Sequence, residues 1–303
     1  MDKKGKSFAN RDVILVTMLG VFFSNLVISI PDPGLQLIFL VMLMPIPYIY
    51  LFTKYGYKSG NMAVAFTALV NSIFFNFFGL VMTLVSFGLM GVVLGGALHE
   101  RLKSTRTLLL TTATSIVSGS SIYYLARRIG IIHQFKILFK KSFTELPYWQ
   151  DLVPGGLSED TIASLADFMA TILPAMTIIF IMVLGYLCYR ISVKLLRWRG
   201  LKVPKVLPIK NWLFPRWIMF LYIVLQIMPK DFLSANILLV LGFILAVEGI
   251  STTVYFGDKW GVYSWLRNII IIVGLVFVGF VFFFIGIIDN IFKLRMSKKK
   301  KQE

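Results

Sequence analysis

The chain has 303 residues, of which 57% are apolar and 15% are charged, and its net charge is +17 at pH 7. Its mean hydropathy of +0.80 excludes an ordinary soluble domain of this length. The single cysteine, Cys188, excludes an internal disulfide and a site built from several thiolates. His99 and His133 have no carboxylate pair at ligand spacing, and no nucleophile-elbow motif is present. We therefore expect no metal site, no cofactor and no enzymatic activity.

Apolar runs long enough to cross a membrane fill most of the chain. A spanning helix needs about 20 apolar residues for a hydrocarbon core of about 30 Å, so the longest run suffices for two spans. Spanning backbone must satisfy its hydrogen bonds internally, which favours helices. The sequence thus predicts an all-α, polytopic transmembrane bundle of about eight or nine spans. The runs cover residues 13–30, 35–53, 61–98, 107–125, 168–193, 213–229, 235–256 and 268–288.

Lysine and arginine between these runs predict the orientation of the bundle, because such residues are enriched in cytoplasmic loops. Residues 3–11 carry four of them, which places the N-terminus in the cytoplasm. The loops at 54–59, 99–106 and 194–212 are also basic and are predicted to lie on the same side. No zinc, P-loop or RNA-binding motif accompanies the charge, so the expected partners are anionic lipid headgroups and not nucleic acid.

The run 61–98 is expected to leave and return through a bend around residues 76–79. An outer loop, residues 126–167, separates the fifth and sixth spans. Within it, apolar and basic residues alternate at helical spacing over 131–143, which predicts an amphipathic interfacial helix. Acidic Glu159 and Asp160 then mark the start of a helix that continues into the sixth span.

Three further apolar runs follow the sixth span. Nine full crossings would place the basic tail outside, against the charge rule, so we expect one apolar segment to be re-entrant or interfacial. The predicted domains are a six-span unit over residues 1–200, C-terminal membrane helices over 201–292, and a basic tail over 293–303.

Four stretches of the chain, in this order and spacing, resemble the YybS-like family of bacterial membrane proteins, a domain of unknown function. The stretches are Leu157–Ala175, Pro204–Trp217, Val247-Glu248-Gly249-Ile250 and Gly286-Ile287-Ile288-Asp289-Asn290. Members of that family more usually carry Gln where this chain has Glu248.

The resemblance implies a multi-pass protein of the bacterial plasma membrane. It also implies that the first six spans are similar to the S-components of energy-coupling-factor transporters. S-components bind vitamins or metal ions from outside and dock on a partner membrane subunit through small residues. Such a likeness of fold is an analogy for function only.

Glu248 is the strongest candidate for a functional residue because it lies inside an apolar run. A carboxylate at mid-bilayer costs roughly 2.5–3.5 kcal/mol on insertion scales, so such residues usually serve a purpose. We expect Glu248 to relay a proton or cation or to bind substrate. The alternative is a hydrogen-bonded carboxyl group that packs helices together.

Small polar residues in the first and third spans are weaker candidates. Asn25, Asn71 and Asn76 are predicted to line a substrate cavity, or else to form hydrogen bonds between helices. Gly20 and Ser24 form a small-xxx-small pair that predicts a docking face for a partner subunit, or else close packing inside the bundle.

Two functions follow from these candidates. The first is a small-molecule binding or transport component, which the six-span unit and Glu248 favour. The second is a non-transporting scaffold for envelope or signalling proteins, which the basic loops and the lack of a clear polar pathway favour. An outward cavity lined by the asparagines would distinguish binding from scaffolding.

Overall fold

The computed structural model describes residues 3–28, 42–145, 158–229 and 231–295. Within these ranges the regular elements are helices, which confirms the all-α class. The first part of the run 35–53, residues 146–157 of the outer loop and the end of the basic tail lie outside the described residues. The α-helices are α1 Lys3–Ile28, α2 Pro45–Tyr55, α3 Tyr57–Thr83, α4 Leu89–His99, α5 Ser104–Arg128, α6 Ile131–Glu145, α7 Glu159–Trp198, α8 Arg216–Ile227, α9 Phe232–Lys259 and α10 Ser264–Phe292.

Five apolar helices in the described ranges are long enough to cross a membrane, or six if the bent helix α10 counts as one span. The sequence predicted eight or nine spans, and helix lengths explain part of the difference. Helix α8 has 12 residues and is about 18 Å long, too short for the crossing predicted at 213–229. The two halves of α10, Ser264–Gly274 and Gly279–Phe292, are bent by 108°. Either helix suits the expected re-entrant or interfacial segment.

The apolar range Tyr57–His99, which comprises α3 and α4 and covers the two spans predicted for residues 61–98, counts as one of these five. Its path breaks at Phe75 and Asn76, and Asn76 has a positive φ of 54°. Beyond the break the chain folds back. This reversal brings Thr83 to Asn71, whose amide donates to the Thr83 hydroxyl at 2.8 Å. The predicted bend around residues 76–79 is therefore confirmed.

The chain divides into two compact units, and the first comprises Met1–Lys141 and Thr177–Val206. Its core is built around Tyr48 and Phe52 of α2, which are fully buried. Two glycines of α4 make room for them: Gly91 lies against Tyr48, and Gly95 lies against Phe52. Small residues in these spans thus allow close helix packing.

Side-chain contacts bring the basic loops of unit 1 together at one end. Lys54 pairs with Asp12 near the start of α1 at 3.3 Å. Tyr57 donates to Glu100 at 2.7 Å, and Ser104 donates to the carbonyl of Lys205. The loops predicted to share the cytoplasmic side therefore share one end of this unit.

Unit 2 comprises Ser142–Met176 and Leu207–Glu303. The predicted domain division at residue 200 stays a prediction. Helix α7 begins as predicted, with the Ser158 hydroxyl accepting from the Thr161 N–H, and it is 40 residues long.

Pro174 interrupts the hydrogen bonding of α7 within unit 2, and Asn236 of α9 repairs it. Proline has no N–H to donate and disturbs the preceding turn of a helix. The Asn236 amide accepts from the N–H of Ala175 at 2.9 Å and donates to the carbonyl of Thr171 at 2.8 Å. One side chain therefore satisfies both backbone groups that an unbroken helix would join.

Candidate functional site

Helix α9 carries Glu248 into the interior of unit 2. Asp231 caps the N-terminus of the helix, and its carboxylate accepts from the N–H of Ser234 at 2.7 Å. The hydrogen bonds from Ser234 lower the pKa of Asp231, so this cap stays ionised. Glu248 follows about five turns later, and only 1% of its surface is exposed. Its carboxylate therefore faces protein, as a membrane carboxylate must.

Two glycines bring α9 and α10 into backbone contact beside Glu248. A Cβ at Gly249 would overlap the carbonyl oxygen of Phe282, and a Cβ at Gly286 would overlap that of Leu245. Only glycine leaves room for this crossing. The close approach places Asp289 and Asn290, one turn further along α10, next to Glu248.

Arg295 reaches the same place because the chain reverses after α10. Lys293 adopts a left-handed conformation, φ 46° and ψ 49°, and its N–H is bonded to the carbonyl of Asp289. Arg295 then folds back, and its Nε and Nη2 donate to Oδ2 of Asp289 at 2.8 and 2.6 Å. The sequence places Arg295 in a basic tail facing lipid headgroups, whereas the structure buries it.

Glu248 and Arg295 are joined directly and through neighbours. One oxygen of Glu248 lies 3.7 Å from Nη2 of Arg295, and the other accepts from the amide of Asn290 at 2.8 Å. Nη1 of Arg295 donates to the hydroxyl of Ser251 at 2.5 Å. We call Glu248, Ser251, Asp289, Asn290 and Arg295 the buried polar cluster.

The segment before α8 closes the buried polar cluster with backbone carbonyls. Lys210 accepts from Arg295 at 3.1 Å, and Phe214 accepts from Asn290 at 3.3 Å. The single O–H of Ser251 is shared between the carbonyls of Ile209 and Trp212. Three of the four stretches that carried the family resemblance therefore meet at this cluster.

The buried polar cluster contains two carboxylates and one guanidinium. Taking charges out of water costs several kcal/mol per ion unless partners compensate. Among the described residues, Oδ1 of Asp289 and Oδ1 of Asn290 have no hydrogen-bond partner. The described part of the chain likewise brings no three His, Cys, Asp or Glu side chains together as a metal site requires.

The asparagines predicted to line a cavity lie in separate environments. Asn71 is buried against Thr83, while Asn25 donates to the carbonyl of Val21 in its own helix. Asn76 is exposed at the bend of the helix. The hydrogen bonds of Asn25 to Val21 and of Asn71 to Thr83 each join residues of one helix. A substrate role for the three asparagines, and the alternative of hydrogen bonds between helices, stay predictions.

Gly20 and Ser24 face the inside of unit 1. A Cβ at Gly20 would overlap the hydroxyl of Tyr48, and Ser24, 2% exposed, donates to the carbonyl of Gly20 at 2.6 Å. This placement agrees with close packing in the bundle. Docking of a partner subunit through this pair stays a prediction.

Unit 1 contains a cavity of about 400 Å³ between α1, α2 and the end of α7. Its walls are mainly apolar, and its polar groups are few. The lining consists of Asp12, Leu15, Val16, Leu19, Ile46, Pro47, Tyr50, Ser192, Leu195, Leu196, Trp198 and Arg199.

Asp12 lines the polar end of this cavity and is paired with Lys54. Asp12 accepts from Tyr55 at 2.6 Å and from Lys54, which also donates to Tyr50 at 2.7 Å. Burial lowers the pKa of Lys54, but the hydrogen bonds to Tyr50, Tyr55 and Asp12 outweigh it and raise that pKa above its usual range. Lys54 therefore stays charged beside the carboxylate.

Sequence reasoning found Glu248 but missed its partners. Asp289 and Arg295 lie at the end of an apolar run and in a basic tail, where solvated charges are ordinary. One sequence feature could have identified these partners. Asp289 and Asn290 follow an apolar run directly, and they belong to a stretch already noted for its family resemblance. Asp12 gave no signal, because it stands among the charged residues that precede the first span.

Residues 21–290 match the DUF2232 family, described as "Predicted membrane protein". The match covers most of the chain, so the protein belongs to this family of membrane proteins. No curated protein and no solved structure matches the chain.

Proposed function

We propose that this protein is a small-molecule binding component of the plasma membrane, and that unit 1 holds the ligand. The observation that carries the proposal is the cavity between α1, α2 and α7. Its volume of about 400 Å³ falls within the range of about 300–1,000 Å³ that is typical of ligand sites. Apolar walls with a few polar groups are also typical of such sites.

The lining indicates an amphipathic ligand. Leucine, isoleucine and proline side chains suit an apolar body, while Asp12, Tyr50 and Arg199 offer both hydrogen-bond donors and acceptors to a polar head. The Asp12 carboxylate is already paired with Lys54, so this end of the cavity is polar without a large net charge.

The finer expectations from the YybS-like resemblance remain proposals. S-components take their ligands from outside, whereas this cavity lies at the end of unit 1 that bears the basic loops. We therefore base ligand binding on the cavity and not on that likeness. A partner membrane subunit and a role in transport stay predictions.

Native mass spectrometry of the purified full-length protein tests the proposal. Leu15 lines the cavity and is 52% exposed, so Leu15→Trp fills space there without disturbing the core. Leu26, in the same helix and equally exposed, lies outside the cavity lining and provides the control. We expect a co-purified small molecule in the wild type and in Leu26→Trp, and its loss in Leu15→Trp.

The second candidate function is a scaffold that does not transport. It is favoured because buried polar side chains bond to one another and so are not left to bind a ligand. Asn71 is bonded to Thr83, and Glu248 is bonded to Asn290. The binding proposal would be contradicted if the wild-type protein carried no small molecule, or if both tryptophan variants carried equal amounts of it. Either result would favour the scaffold function.

A further inference from the structure

The buried polar cluster of unit 2 has two carboxyl groups, one guanidinium and a shortage of hydrogen-bond donors. If both carboxyl groups were ionised, Glu248 and Asp289 would face a single positive charge, that of Arg295. The side chains of the three residues are at most 4% exposed, so water would not screen the surplus charge. Among the described residues, Oδ1 of Asp289 and Oδ1 of Asn290 accept no hydrogen bond, which shows the shortage of donors directly.

We propose that Glu248 and Asp289 together bind one exchangeable proton, which makes the buried polar cluster a proton-binding site. A proton taken up from bulk water converts one carboxylate to a carboxylic acid. The cluster then holds one carboxylate and one guanidinium, and its net charge is zero. The new O–H group also supplies the donor that the cluster lacks. This inference does not depend on the cavity in unit 1.

The geometry assigns the proton mainly to Glu248. Asp289 receives two hydrogen bonds from Arg295, at 2.8 and 2.6 Å, and is the natural partner of the guanidinium. Glu248 lies 3.7 Å from Arg295 and has a neutral amide, that of Asn290, as its closer partner. Charge-assisted hydrogen bonds favour the ionised form most at the shorter distance. Because the two carboxyl groups are coupled, the proton is a property of the pair.

A proton suits the site better than a metal ion. Glu248 and Asn290 are at most 2% exposed, and the helix backbones touch at Gly249. A sodium or calcium ion needs several oxygen ligands and the space to arrange them. The guanidinium of Arg295 already lies 2.8 and 2.6 Å from Oδ2 of Asp289, so a metal ion at this carboxylate would also meet a positive charge.

The charged groups that face Glu248 are few. Asp289 comes from α10, and Arg295 from the segment that follows it. The segment before α8 contributes the carbonyls of Lys210 and Phe214, while the ammonium group of Lys210 pairs with Asp258 at 2.9 Å.

Thermal unfolding of the full-length protein in detergent, measured as a function of pH, tests whether the buried polar cluster binds a proton. A folded state that holds one more proton than the unfolded state loses stability as pH rises. One proton corresponds to at most about a tenfold change in the unfolding equilibrium constant per pH unit. We expect the melting temperature of the wild type to fall with rising pH across the neutral range.

Glu248→Gln should remove that dependence, because glutamine keeps the hydrogen bonds without titrating. Its melting temperature should exceed that of the wild type on the alkaline side. Asp258→Asn is the matched control, since Asp258 is a partly exposed carboxylate in the same helix. The control should keep the wild-type slope. A purely structural role for Glu248 would instead give equal slopes in all three proteins.

Infrared spectroscopy of the wild type gives a direct reading that does not require any variant to fold. A carboxylic-acid C=O band should be present at neutral pH and should disappear at alkaline pH. Absence of the band at neutral pH would overturn the proposal. A melting temperature that depends on sodium concentration, with no such band, would assign the site to a metal cation and would also overturn it.

Discussion

Arg295 is the residue on which the charge balance of unit 2 depends. Its guanidinium contacts Asp289, Ser251 and the carbonyl of Lys210, and it lies close to Glu248. Removing one partner of a buried ion pair typically costs about 3–5 kcal/mol, because the other charge is left uncompensated. Arginine offers a planar fork of donors that lysine cannot reproduce.

Substitution of Arg295 should therefore strongly destabilise the folded protein, and a second substitution should restore part of the lost stability. We expect Arg295→Met to lower the free energy of unfolding by about 3–5 kcal/mol. Adding Asp289→Asn removes the carboxylate that Arg295→Met leaves unpaired and should recover part of that loss. Thermal denaturation of the two single variants and the double variant measures the coupling. Strictly additive effects would show that the two side chains do not interact.

The sequence predicted some of these residues because their chemistry is unusual for their position. Glu248 stands out in an apolar run, since a carboxylate there is costly. Arg295 does not stand out, because a basic residue after a last span is usual. Its burial depends on the left-handed Lys293, a conformation that no local pattern in the tail indicates. The partners of Glu248 are 41 to 47 positions away, so only the folded helix pair reveals them.

At the scale of whole elements, packing of α9 against α10 depends on one glycine crossing. Gly249 and Gly286 allow the two backbones to touch, and this contact sets the distance between Glu248 and Asn290. The bend at residues 76–79 could be predicted from the length of its hydrophobic run, whereas the short length of α8, 12 residues, could not. The repair of the Pro174 kink by Asn236 could not, because it joins residues more than 60 positions apart.

Gly249→Ala should disrupt this helix pair. The added methyl group would overlap the carbonyl oxygen of Phe282, so the helices must separate and weaken the buried polar cluster. Gly242, seven residues earlier in the same helix, has no neighbour closer than 3.8 Å to a new Cβ. Gly242→Ala should be neutral or slightly stabilising, since alanine favours helices by about 1 kcal/mol over glycine. Melting temperatures that fall equally in both variants would contradict the role of the crossing.

At the scale of the whole molecule, the two units contain features of different kinds. Unit 1 has an open cavity with apolar walls, and unit 2 has a closed cluster of charges. Hydrophobic runs predicted the membrane class, and basic loops predicted which connections lie together. Neither pattern predicts a cavity, because its shape comes from contacts between α1, α2 and α7.

The orientation of unit 1 is the last prediction. Contacts such as Tyr57 with Glu100 and Ser104 with Lys205 hold the basic loops at one end, so these loops must share one side of the membrane. The enrichment of lysine and arginine in cytoplasmic loops predicts that this side is the cytoplasm. Single cysteines in a Cys188→Ala background test the prediction, since Cys188 is fully buried and small.

Lys58, Lys103 and Lys202 are exposed positions in three of these loops and suit cysteine substitution. An impermeant thiol reagent should label them only after the cells are permeabilised. Gln134, exposed in the amphipathic helix α6, is predicted to lie outside and should be labelled in intact cells. Labelling of the three loop positions in intact cells, with protection of Gln134, would invert the orientation. Labelling of only one or two of the loops would contradict the contacts that join them, because a membrane cannot separate residues held within hydrogen-bonding distance.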